Sequence, residues 1–460
     1  MSNKYKWILP AVIILASCRV TKKYSQQELS DNVRYRSALS VDSTNIAGIG
    51  RKEFFSDTVL QKLITESISS NLDLKIAYQR IISSRAAFWR SKQAFLPEAG
   101  LTGNVKRAKV PFTQGFGFIN DVTQFDIGVN TAWEADIWGR LSSAKRGTYA
   151  DLMATEAARN AVRTQLIADI ANYYIQLLSL DEQLTLLHKT AANRAEDVAT
   201  MESLNASNKV NGAAVVQSKA NYSAAKVAIP DVSKQIRETE NVLCILLNRV
   251  PGQIERGSLH DFRLPESFSS GVPSDLLKNR PDVRQAEYQL RAAFEHTNVA
   301  RTNFYPSIKI TGGAGFSTFD FSQWFSVTSL FANVIGGLTQ PLLAGGENRA
   351  KLKVAISEQE IALLNFQKVM LQAVQEVSNA LFSIETATEK QQERREQLEY
   401  LEKSVEFTKE LLKYNSSTNY TDVLTSENNL LNAQNSDIGD KVQKLQGIVQ
   451  LYRALGGGNK

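Results

Sequence analysis

Residues able to do chemistry are few in this chain, and their spacing argues against an enzyme. The three histidines, His188, His260 and His296, are scattered. None has a ligand residue three or four positions away on a helix, the spacing a helical metal centre needs, so no metal is expected. The glycines of ITGGAGF, residues 310–316, lie in a strand-like stretch rather than in a strand-to-helix loop that could cradle a phosphate. Asp136 in WEADIWG falls where a strand pattern gives way to a helix pattern, a place for a structural carboxylate. Two thiols remain. Cys244 in VLCILLN sits in an apolar helical stretch, where it serves as a small hydrophobe, and two cysteines in such different settings leave no disulfide framework. Cys18 is different: small residues and an apolar run precede it, the setting of a thiol exposed by processing.

Lys4 and Lys6 precede the apolar run Trp7 to Leu15, and Leu15-Ala16-Ser17-Cys18 follows. A charged start, a short apolar segment and small residues before a cut site make a secretory signal. The run is too short for a spanning helix, which needs ~20 residues. L-A-S-C also resembles the bacterial lipobox, whose cysteine becomes the lipidated first residue of the mature chain. Residues 1–17 therefore read as signal peptide, and 18–56, polar and irregular, as a lipidated tether. A covalent lipid on Cys18 is the one added group expected. Arg19 replaces the aspartate that marks retention at the inner membrane, which favours the outer membrane. The full chain of 460 residues is 43% apolar and can bury a sizeable core. Its net charge of +6 is spread along the sequence without a Lys/Arg run interleaved with aromatics, so no nucleic-acid partner is expected.

The elements that could carry a function occur twice. FLPEAGLTGN, from Phe95, and FYPSIKITGG, from Phe304, align at an offset of 209 residues. Such an offset marks an internal repeat, with copies at 57–255 and 270–457. In each, a helix opened by an acidic residue (Asp73 or Asp282) ends at a proline (Pro97 or Pro306). Two strand-like segments follow, at about 101–113 and 123–135 in the first copy and 307–319 and 327–340 in the second. Phe125, Ile127, Val129 and Trp133 alternate with polar residues, as do Ile308 and Ile310. Leu338 shares a face with Leu330, Ala332 and Val334. Period-two alternation suits a half-buried strand or a lipid-facing one. The connecting loops are aromatic: Phe112, Phe116 and Phe118 in one, Phe319, Phe321, Trp324 and Phe325 in the other. Such rings fit either an interfacial girdle or a small soluble β-domain whose rings pack inward.

Very long helices come next. No Gly or Pro interrupts Thr148–Asn211, 64 residues, or Glu347–Ile438, 92 residues with the polar turn YNSSTNY inside. Leu166, Ile170, Tyr173, Leu177, Leu180, Leu184, Leu187 and Ala191 step by four and three, a heptad seam. Ile438, Val442, Leu445, Val449 and Tyr452 do the same. Each copy therefore ends in a coiled-coil hairpin, turning near Asn205–Gly212 and Tyr414–Tyr420.

Four strands per chain cannot close a barrel, and an open edge in lipid leaves backbone groups unsatisfied. Spanning strands would require several chains to share one barrel; three would give twelve strands and begin to open a lumen. KEFFSD (52–57), WEADIWGRL (133–141), LLNRVPG (246–252), VPSDLLKNRPDVRQAE (272–287), VARTNFYPSI (299–308) and PLLAGGEN (341–348) resemble the TolC-like outer-membrane efflux channels. Within that family the likeness is to the OprM/NodT-type lipoprotein branch. The resemblance implies a mainly α fold with a β-barrel portion, a homotrimer whose twelve strands form one outer-membrane barrel, and an α-barrel extending through the periplasm. It also implies a passive exit duct for small molecules, working with a periplasmic adaptor and an RND-type inner-membrane pump in a Gram-negative cell.

The resemblance places a gate where the two hairpins meet. The last helix of the family opens with a D-V-L-D-like motif, here Asp422-Val423-Leu424-Thr425. Three Asp422 carboxylates around a threefold axis would form an anionic ring attractive to cations, while the same aspartate can serve simply to cap the helix. Thr425 stands where the family has a second acid, and Tyr414 matches a tyrosine that ties neighbouring hairpins. The competing reading is a lipid-anchored periplasmic coiled-coil adaptor with no pore. It buries Phe125, Ile127, Val129 and Leu338 in protein where the duct sets them against lipid.

Overall fold

The computed structural model describes residues 20–25, 49–109, 121–265, 279–414 and 420–458. Helices α1 (Thr58–Ser70) and α2 (Leu72–Gln93) lead into strands β1 (Glu98–Lys109) and β2 (Asp121–Ala135), then helices α3 (Arg140–Ala206) and α4 (Gly212–Leu246). Helix α5 (Pro281–Thr302) leads into β3 (Ser307–Thr318) and β4 (Leu330–Thr339), then α6 (Glu347–Tyr414) and α7 (Tyr420–Ala454). The long helices have 67 and 68 residues and their returning partners 35 each. At ~1.5 Å per residue the longer ones reach ~100 Å. No helix among the described residues is long and apolar enough to cross a membrane.

Two expectations shift at the element ends. The stretch from 327 does not start a strand; Val327–Ser329 is a 3-10 turn, held by Ser329 Oγ donating to the Gln323 carbonyl at 2.7 Å, and β4 begins at Leu330. Asn71 rather than Asp73 caps α2, its Oδ1 accepting the Leu74 N–H at 3.1 Å. Asp73 and Asp282 both sit inside the first turn, where they still meet the positive end of the helix dipole.

The elements fall into two compact units. The first takes the described residues of 1–28, 80–156 and 285–367 and holds the sheet. Its strands run antiparallel in the order β1-β2-β3-β4, and β1 and β4 have no outer neighbour among the described residues. Gly128 and Gly315 pair directly across β2 and β3, and a Cβ on Gly128 would come within 2.9 Å of the Ala314 carbonyl oxygen. The strand-to-helix junction uses the residues of WEADIWGRL. Asp136 accepts from the N–H groups of Leu141 and Ser142 at 2.8 and 2.9 Å, satisfying orphan donors of α3. Gly139 takes φ 76°, the left-handed turn that lets the chain leave the strand. Arg140 grips Glu134 at 2.8 and 2.6 Å, and Trp138 Nε1 donates to the Pro306 carbonyl at 2.7 Å, tying the two repeats together. Residues 20–25 lie along α5, where the buried Asn298 amide accepts from Lys22 N–H at 3.1 Å and donates to Lys22 O at 3.0 Å.

The second unit takes the described residues of 29–79, 157–284 and 368–460. Its core is the middle of α3, where Ile167, Ile170, Tyr174, Ile175, Leu177 and Leu178 are fully buried. This corrects the seam: Tyr173 is 39% exposed and Tyr174 takes the inner place. The segment after α4 covers α3 here, with Tyr174 against Phe262 at 5.9 Å, so the buried stripe is wider than a two-helix seam. Tyr174 Oη accepts the Gly257 N–H at 3.1 Å and lies 3.4 Å from both Asp57 oxygens, while Asp57 caps α1 through the Leu60 N–H at 2.7 Å. Phe54 and Phe55 of KEFFSD are fully buried, and Phe54 stacks on Tyr452 at 4.0 Å. Cys244 is buried and free, its Sγ 3.5 Å from the Gly252 carbonyl oxygen.

Candidate functional site

In the first unit, strand register sorts the side chains onto two faces. Val105 pairs with Phe125, Leu101 with Val129, Ile127 with Phe316, and Ile308 with Leu338. Directly opposed residues share a face. One face therefore carries Leu101, Val105, Phe125, Ile127, Val129, Ile308, Phe316, Val334 and Leu338. The other is mostly polar, with Thr102, Asn130, Gln124, Asp126, Ser317, Lys309 and Asn333, and Phe331 and Ile335 among them. On the polar face Asn130 donates to Thr102 Oγ1 at 2.8 Å, and Gln124 and Ser317 both donate to Asp126 Oδ1, at 3.0 and 2.6 Å.

The four positions singled out in the sequence thus come together on the apolar side. Val129 and Leu338 are 51% and 67% exposed, and Val334 reaches 80%. A soluble domain would not leave such a continuous apolar face bare. Phe125 and Ile127 are half-buried. Phe125 is covered by loop rings, Phe321 at 5.4 Å and Trp324 at 5.2 Å, and Trp324 stacks on Phe325 at 5.4 Å. These rings fold onto the apolar face, while Phe319, Phe321 and Phe325 remain about two-thirds exposed. Phe112, Phe116 and Phe118 lie outside the described residues, as does Cys18.

In the second unit the ends of the two hairpins meet. Met201, Tyr420 and Val423 form a small buried cluster with Leu204, Val215 and Leu412 around it. Tyr414 closes α6 at 88% exposure, and Asp422 and Thr425 are exposed in the first turns of α7. Thr425 Oγ1 donates to the Thr421 carbonyl at 2.8 Å. Asp422 is the third residue of α7, inside the first turn rather than at the capping position. The turn itself, 415–419, lies outside the described residues.

Sequence reasoning missed a charged group just behind this tip. Arg194, 4% exposed, pairs with Glu427 and donates to Asn428 Oδ1 at 2.9 Å. Lys409 reaches Glu427 at 2.6 Å and Asp197 at 3.3 Å. Burial pushes the Glu427 carboxyl above its ordinary range, with the Asp197 charge adding to it. Burial pulls the Lys409 ammonium down, but Glu427 and Asp197 outweigh it and leave its pKa raised. The available signal was Arg194 itself, which continues the four-three stepping beyond Leu187 and Ala191 and so puts a cation on the seam. Among the described residues, no group of three or more His, Cys, Asp or Glu side chains converges as a metal site would require.

The family model for outer membrane efflux proteins matches residues 63–249 and again 272–457. The chain belongs to that family. The family's two matched spans coincide with the two strand-and-hairpin halves. A relative, the probable efflux pump outer membrane protein TtgC of Pseudomonas putida, is 27% identical over 457 residues, 97% of this chain and 93% of the relative. The probable outer membrane lipoprotein SilC of Salmonella typhimurium is 26% identical over 466 residues, 98% of each chain. The open-state outer membrane channel MtrE of Neisseria gonorrhoeae superposes with a TM-score of 0.85 over 96% of this chain and 99% of that one, at 23% identity, and so shares its fold. Membership decides between the two readings left by the sequence. An outer membrane efflux protein is an exit duct of the outer membrane, not an adaptor without a pore.

Proposed function

We propose that three copies of this efflux protein pool their sheets into one twelve-stranded barrel and that their helical hairpins prolong it as an α-barrel. The duct would pass small molecules without energy input of its own. Those molecules would be delivered by a periplasmic adaptor and an RND-type inner-membrane pump, in keeping with relatives named as efflux pump components. The observation that carries this reading is the sheet: two margins unpaired among the described residues, one apolar face and one mostly polar face. Pairing the β4 margin of one copy with the β1 margin of the next keeps every neighbour antiparallel and satisfies the backbone groups that lipid would strand. The apolar face, including Phe125, Ile127, Val129 and Leu338, then meets lipid and the polar face lines water.

Two further assignments go with it. Cys18 would carry the lipid, as the name of the lipoprotein relative SilC encourages. Asp422, Thr425 and Tyr414 would stand at the narrowest point of the assembled tip, with Asp422 supplying negative charge.

Native mass spectrometry of detergent-extracted outer membranes should give a trimer with an acylated N-terminal cysteine, and Cys18→Ala should lose the acyl mass. In planar bilayers, Asp422→Ala should raise single-channel conductance or weaken cation block. A water-soluble monomer after removal of the lipid would defeat the shared barrel. Unchanged conductance and block would defeat the gate assignment alone.

A further inference from the structure

In the second unit, the segment following α4 lies against α6 and α7 and leaves a groove of about 470 Å³. Its floor is apolar: Leu259, Phe262 and Ile448 are 6%, 4% and 2% exposed. Its rim is cationic, with Arg263, Arg395 and Lys444 around that floor.

Ion pairing around the groove is uneven in a telling way. Lys441 at its edge is matched by Asp437 at 2.7 Å, and the neighbouring Arg394 by Asp440 at 3.1 Å. Arg395 and Lys444, each one turn or less away, have no carboxylate partner among the described residues. Among the described residues the Arg263 guanidinium donates to carbonyl oxygens, those of His260 and of Phe262, the latter at 3.0 Å. Against these three cations, Glu182 is the one carboxylate without a partner among the described lining residues. Cations gathered without counter-ions beside low-dielectric walls raise the local concentration of anions. A concave apolar floor of this volume takes a small organic molecule rather than a polymer.

We propose that this groove binds an amphiphilic organic anion, its flat apolar body on Phe262, Leu259 and Ile448 and its carboxylate or sulfonate on Arg395 and Lys444. Guanidinium and ammonium donors to an anionic oxygen make the stronger class of hydrogen bond. The apolar body supplies area, the charged head supplies selection, and Glu182 disfavours heads carrying more than one negative charge. The site is independent of the barrel assignment.

The full chain in phosphatidylcholine nanodiscs, with empty discs subtracted, can be titrated with 1-anilinonaphthalene-8-sulfonate and with its uncharged counterpart N-phenyl-1-naphthylamine. Reversing the rim with Arg395→Glu and Lys444→Glu together should weaken the sulfonate dye on the order of tenfold. It should leave the neutral dye within about twofold, and Lys209→Glu at the turn between α3 and α4 should change neither. Equal sulfonate binding before and after reversal overturns the proposal. A single Lys444→Cys thiol gives an independent reading: the sulfonate dye should slow its modification by maleimide and the neutral dye should not. A thiol the sulfonate dye does not protect, or one unreactive from the outset because another copy covers the groove, also overturns it.

Discussion

Arg280 donates to the carbonyl oxygen of Ala454 at 2.9 Å, fastening the start of the second repeat to the last turn of the last helix. The same guanidinium holds Asp282 at 2.6 Å and Glu376 at 2.8 Å while only 3% exposed. This is the physical content of the NRPDVR stretch, with an arginine serving three elements at once. Arg280→Ala should cost about 3 kcal/mol, the low end for breaking a buried pair. The low end applies because Asp282 and Glu376 keep 40% and 37% side-chain exposure. The check is a lowered urea midpoint together with earlier proteolytic release of the C-terminal segment. An unchanged midpoint would make the clamp ornamental.

The hairpin tip should respond to loss of Arg194. Removing it leaves Asp197 and Glu427 buried side by side, with Lys409 alone to offset them. Arg194→Ala is expected to destabilise this end by about 4 kcal/mol. Hydrogen exchange should quicken in the last turns of α3 and the first turns of α7 while the middle of α3 stays protected. Uniform exchange across α3 would show instead that the group does not act locally.

Alkaline pH offers a third test. Burial pushes the Tyr174 hydroxyl up to about 12 from an ordinary 10.0, with Asp57 adding to the rise. A folded-state pKa above the unfolded one means stability fully present below pH 10 and lost as pH climbs toward 12. Two pH units correspond to roughly 3 kcal/mol. Tyr174→Phe should begin less stable, because the Gly257 N–H loses its acceptor, and should show a flatter alkaline decline. The quantity to compare is the difference in denaturation midpoint between the two proteins from neutral pH to pH 12. Parallel curves would remove Tyr174 from the account.

Much of this architecture was written in local patterns. Pro97 and Pro306 announce where helix yields to strand, and period-two alternation through Phe125, Ile127 and Val129 assigns the faces before any partner strand is known. The absence of Gly and Pro from Thr148 to Asn211 foretells a helix that ends at Ala206. What stayed hidden depends on partners far along the chain. Tyr174 displaces Tyr173 because residues near Phe262, some ninety positions later, cover that side of α3. Arg280 cannot be told from any surface arginine until Glu376 and Ala454 are placed beside it. The ion group at the tip joins residues 194, 197, 409 and 427, a distance in sequence that no window spans. Aspartates at helix starts mislead for a related reason. Asp73, Asp282 and Asp422 all sit within the first turn, and at α2 the capping falls to Asn71 just before it.

The margins of β1 and β4, unpaired among the described residues, would set a schedule for the cell in such a shared barrel. A newly made copy is a sticky object until its neighbours arrive, and any strand-forming stranger it meets first competes on the same hydrogen-bonding groups. In the shared barrel proposed above, output of finished ducts would rise more steeply than synthesis, since meeting takes several copies. Whatever shields those margins before assembly would then limit how many are built.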